Sequence, residues 1–103
     1  MAANQKILTL KITLTHPRSQ KEFNIDESIY RPFKAAILQS LKNRKGKSFT
    51  ELTEAVIKII RKKIPGFNKS IPWYTISILR DLETKGIVEP FIEKGKKLNR
   101  LKK

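Results

Sequence analysis

From Asp26 to Lys85 the apolar residues recur at three- and four-residue intervals in three separate runs, each with its own start and stop signals. No other feature limits the fold as strongly, because this spacing suits only helices that share a core. The first run, 26–43, carries Ile29, Phe33, Ala36, Ile37 and Leu41 on one stripe, behind the cap-type residues Asn24 and Asp26. Pro32 lacks a backbone donor beyond the first turn, which predicts a tight turn over 26–30 before the regular helix. Asn43–Lys47, centred on Gly46, reads as a turn. The second run, 49–63, opens on the capping-box pattern Ser48-Phe49-Thr50-Glu51, points Leu52, Val56, Ile59 and Ile60 inward, and stops at Pro65-Gly66. The third, 71–85, starts at Ser70 and Pro72, points Ile76, Leu79 and Leu82 inward, and ends at Gly86.

Two flanking segments have the other period. In 6–16, Leu8, Leu10, Ile12 and Leu14 alternate with Thr9, Lys11, Thr13 and Thr15, which predicts a strand with one apolar face. Pro17 ends it, and Arg18–Glu22 reads as a polar loop. Over 87–101, Ile87-Val88 and Phe91-Ile92 lead into a turn at Glu93–Lys96 around Gly95, and Lys97–Leu101 returns as a second strand. Pro90 places the outgoing strand at an edge. Three helices followed by a basic hairpin is the order of a winged helix-turn-helix domain, an α+β fold, here with an additional N-terminal strand and one domain over 1–103. A short strand near Ser48–Phe49 is expected to join the hairpin. The N-terminal strand either pads that sheet or, with the first helix, offers a homodimer contact, since a bare edge is a template for pairing.

Charge narrows the partners. The 103 residues include 23 Lys+Arg against 9 Asp+Glu, a net charge of +14. The cations gather at Lys42, Arg44, Lys45 and Lys47, at Arg61-Lys62-Lys63, and from Lys94 to Lys103. Such an excess favours a polyanion that releases counterions on binding. With no cysteine there are no disulfides and no thiolate metal sites. No apolar run approaches the ~20 residues of a membrane span, and the N-terminus has no apolar signal core, so the expectation is a cytoplasmic protein. His16 has no matched nucleophile or ligand set, and no phosphate-cradling glycine motif is present. No enzyme activity, cofactor or metal is expected.

The run from Trp73 to Val88, with Thr75, Ser77, Leu79, Leu82-Glu83 and Gly86-Ile87-Val88, resembles the third helix and wing start of many winged-helix regulators. Over about residues 16–101 the chain also resembles a family of small bacterial winged-helix proteins of uncharacterised function. The shared skeleton is His16-Pro17, Ile25-Asp26, Tyr30, Ala36-Ile37-Leu38, Phe49-Thr50-Glu51-Leu52 and Val56. It continues through Ser70, Trp73-Tyr74, Asp81-Leu82-Glu83 and Gly86-Ile87-Val88-Glu89. The chain departs from it at Pro32. The resemblance implies the fold and leaves activity to the residues.

In a DNA-binding winged helix the third helix enters the major groove and the wing follows the backbone. Ser70, Tyr74, Thr75, Ser77 and Arg80 are read as facing outward on that helix, with Lys69 just before it. From the wing, Lys94, Lys96, Lys97 and Arg100 would contact phosphates. Against this, Asp81 and Glu83 put negative charge on the reading helix, unless Asp81 pairs with Lys85, Ser77 or Arg80. Trp73 reads as a core plug between the third helix and the hairpin, with base stacking as its alternative. The expectation is therefore a non-enzymatic DNA-binding regulator acting on duplex DNA. The alternatives are a protein–protein assembly module and an RNA- or ribosome-associated protein.

Overall fold

The computed structural model describes residues 11–15, 22–42 and 45–102. In chain order these form β1 (Lys11–Thr15), β2 (Glu22–Asp26), α1 (Glu27–Ser40), α2 (Phe49–Lys63), α3 (Ile71–Thr84), β3 (Val88–Glu93) and β4 (Lys96–Leu101). Three helices, an N-terminal strand pair and a C-terminal strand pair make an α+β fold compatible with a winged helix. The expected strand at 6–16 is described only over Lys11–Thr15. Residues 6–10 and His16-Pro17 lie outside the described residues.

β2 corrects the expected loop before the first helix. It pairs antiparallel with β1, with Thr13 opposite Asn24 and Leu14 opposite Phe23. Asn24 and Asp26, which look like helix caps in the sequence, stand in this strand instead. The Thr13 hydroxyl donates to Asn24 Oδ1 at 2.8 Å, and Asp26 makes no side-chain cap bond to α1. The strand pair lies against α1 and α3 and delivers Leu14 and Ile25 to the core.

Pro32 does not break α1, which runs as one helix from Glu27 to Ser40. The carbonyl of Ser28 loses its partner one turn on, but Ser28 is exposed, so water can replace the missing donor. Phe33, Ala36 and Ile37 follow on the buried stripe, together with Tyr30, where Ile29 was expected. α2 keeps its capping box: Ser48 Oγ accepts from the Glu51 amide at 3.1 Å, and Glu51 Oε1 accepts from the Ser48 amide at 3.0 Å.

α3 sits against α1, α2, β1 and β3, so its buried arc is much wider than one stripe. Ile78, Leu79 and Leu82 are in the core, whereas Ile76, read as inward, is only partly buried. The helix ends in a Schellman motif. Gly86, at φ +77°, donates to the Glu83 carbonyl at 3.1 Å, and Ile87 donates to the Leu82 carbonyl at 2.9 Å.

The chain then enters the β3–β4 hairpin, whose two-residue turn is Lys94-Gly95. Both turn residues have positive φ, +52° and +80°, which makes the turn type I′ and matches the twist of the strands. The third strand expected near Ser48–Phe49 is a single bridge one residue earlier: Lys47 and Asn99 exchange backbone hydrogen bonds of 2.9 and 2.8 Å. Because Asn99 spends its backbone groups on Lys47, it has none for Pro90, its partner across the hairpin. The missing donor of Pro90 therefore falls on the outer edge of β3, where it also discourages an added strand.

Candidate nucleic-acid interface

Most of the side chains expected to face outward on α3 do not. Thr75 is 0% exposed, and its hydroxyl donates to the Ile71 carbonyl at 2.8 Å, which lets a polar residue sit in the core without an orphaned group. Ser77 is also buried. Tyr74 is half-buried and packs into an aromatic cluster, 5.5 Å from the Phe33 ring centroid and 5.7 Å from Phe67. These three cannot read a groove, because the wide buried arc of α3 includes them.

The less buried stripe of α3 runs through Trp73, Ile76, Arg80 and Glu83. Arg80 Nη1 donates to Glu83 Oε1 at 3.1 Å, so its charge is matched one turn along the same helix. Trp73 corrects the expected core plug: it is 47% exposed, its ring edge-on to Tyr74. Lys69 and Ser70 are exposed at the helix start. The Ser70 hydroxyl accepts from the Trp73 amide at 3.2 Å and Pro72 has no donor, so little of this helix end is left to hold a phosphate.

Asp81, suspected of opposing nucleic acid, is 1% exposed and lies inside the fold. Its Oδ2 is 2.8 Å from Lys85 Nζ, as the i,i+4 spacing predicts, and accepts from the Tyr30 hydroxyl at 3.3 Å. Lys85 also donates to that hydroxyl at 3.3 Å, so the three groups tie α3 to α1. Burial opposes the charged form of Lys85, but hydrogen bonds to Asp81 and Tyr30 and the attraction of Asp81 outweigh it and raise its pKa. Burial pushes Tyr30 above the usual tyrosine value, against the opposing pull of Lys85.

The wing cations behave differently from one another. Arg100 is engaged within the hairpin, donating to Glu89 Oε2 at 2.7 Å and lying 4.1 Å from the centre of the Phe91 ring. Lys94, Lys96 and Lys97 are exposed at the turn. Lys96 shares its face of the hairpin with Phe91 and Leu98. Gly46 is packed against that same pair, so tightly that a Cβ there would stand 2.6 Å from the Phe91 ring and 3.3 Å from Leu98 Cβ. The basic loop before α2 is thereby held beside the wing.

Glu51 registers the result. The hydrogen bond from the Ser48 amide lowers its pKa most, and Lys47 and Lys96 both add to the lowering. One carboxylate thus feels a loop lysine and a wing lysine together. Sequence reasoning placed the wing lysines in the interface and left Lys45 and Lys47 out of it. The usable signal was the expectation of a strand joining the hairpin, which brings those residues with it.

Nothing else forms a competing site. A shallow groove of about 510 Å³ between α1 and α2 is lined by Lys47, Lys58, Glu51 and Glu54 among others, opposite charges that largely cancel. Among the described residues no three His, Cys, Asp or Glu side chains group as metal ligands would, and no helix is long and apolar enough to cross a membrane. Comparison with curated proteins and with solved structures returns no match. A protein-family model does match, over residues 11–98, from β1 through most of β4. The chain therefore belongs to DUF6958, a family of unknown function.

Proposed function

We propose that the protein is a non-enzymatic nucleic-acid-binding protein that grips the phosphate backbone with its wing and the loop before α2. Lys45, Lys47, Lys94, Lys96 and Lys97 supply the contacts. The observation that carries this reading is the bridge between Lys47 and Asn99, which sets two lysine clusters side by side. Contacts of this kind give affinity and salt dependence without sequence preference. α3 positions the wing and does not read a duplex, because Thr75 and Ser77 are buried and Arg80 is paired. Binding of a fluorescent duplex at ~50 mM salt tests this, with Lys96→Glu and Lys97→Glu expected to weaken it.

The assembly-module alternative draws support from Ile92, 69% exposed on the wing. It predicts that Ile92→Ser abolishes association with a partner or second copy while the lysine reversals have no effect.

A further inference from the structure

We propose that Trp73 is a stacking platform for an unpaired nucleobase, so that the strand passing the head of α3 is single-stranded there. The inference rests on the nucleic-acid reading and adds the class of substrate. Trp73 is the only tryptophan in the chain, and nearly half of it is in water. Its ring is nonetheless held in place. It meets Tyr74 at 4.9 Å with the planes at 89°, Tyr74 is held by Phe33 and Phe67, and the Trp73 amide is held by Ser70. Perpendicular rings leave at least one indole face uncovered by Tyr74. A fixed aromatic plane costs little further entropy when a base stacks on it.

The surrounding charge selects the occupant. Between Glu54 and Asp81 the chain has no acidic residue, while Lys58, Arg61, Lys62, Lys63, Lys69 and Arg80 all fall there. Lys69 and Arg61–Lys63 are exposed on the connector side of Trp73. An exposed aromatic plane in an acid-free, cationic segment is the combination that single strands use: phosphates follow the cations and bases stack. A paired duplex hides its base faces and gives such a plane nothing to stack on.

The test uses the full chain and the fluorescence of Trp73 itself, with oligothymidylate of about 15 nucleotides, a duplex of equal length, inorganic polyphosphate and polyglutamate. Oligothymidylate should quench the emission, and polyphosphate should bind without quenching. Trp73→Ala should weaken oligothymidylate binding by about tenfold or more, with Trp73→Phe retaining most of it. Polyphosphate affinity, which needs no base, should be unchanged in Trp73→Ala. If Trp73→Ala leaves oligothymidylate binding intact while Lys96→Glu still abolishes it, stacking is wrong and the phosphate reading stands. Equal losses for polyphosphate and oligothymidylate, or stronger quenching by polyglutamate, would also overturn stacking. Failure of all the polyanions to bind would overturn both.

Discussion

Lys47 and Asn99 exchange both backbone hydrogen bonds across a separation of 52 residues, and this single bridge joins the loop before α2 to the wing. Asn99 is buried and adds a side-chain bond from Nδ2 to the Lys47 carbonyl at 3.3 Å. A run of lysines is ordinarily just a solvated surface. Here the backbone fixes where two runs lie relative to each other, which turns separate charges into one field.

The bridge depends on Gly46. At φ +90° and with the Phe91 ring 2.6 Å from where a Cβ would stand, the position suits glycine on both conformational and steric grounds. Gly46→Ala should destabilise the protein by roughly 2–3 kcal/mol in urea unfolding, combining left-handed strain with overpacking. It should also weaken polyanion binding while leaving every lysine in place.

Glu51 offers a direct check on the geometry. Its pKa is lowered on folding, so its contribution is present above the unfolded value and is lost as pH falls through the folded one. Lys96→Gln should move the Glu51 titration, followed by carboxyl-carbon NMR, upward toward the ordinary glutamate value. An unmoved titration would place Lys96 away from the α2 start.

Alkaline stability should report on the link between Tyr30, Asp81 and Lys85. Both Lys85 and Tyr30 have raised pKa values in the fold. Their contribution is therefore complete below about pH 10 and is lost as pH rises through the folded values. Urea midpoints should fall between about pH 10 and 12. Lys85→Met, which removes the ammonium from a buried carboxylate, should cost about 2–3 kcal/mol at neutral pH and flatten that fall. The figure sits at the low end for a buried pair because Lys85 is partly solvated.

How legible all this was depends on where each element finds its partners. The α2 start and the α3 stop are local, written in Ser48 and Glu51 and in Gly86, and both appear as the sequence implied. β2 was missed because Asn24 and Asp26 favour a cap, and only pairing with β1 makes them strand residues. Thr75 and Ser77 were misplaced because period alone assigns one stripe to a helix. α3 is packed from several sides, and the Thr75 hydroxyl finds its acceptor inside the helix. The wing lysines were found from their turn, whereas the role of Lys47 follows from a long-range bridge that no local pattern encodes.

The central claim is that lysines of the loop and the wing act together on a phosphate backbone, and the salt dependence of binding measures it most directly. With about five phosphates neutralised, log Kobs against log salt should fall with a slope of roughly −4.5, and Lys96→Gln with Lys97→Gln should make it shallower by about 2. Undetectable binding at ~50 mM salt, or a slope the two substitutions leave unchanged, would contradict it.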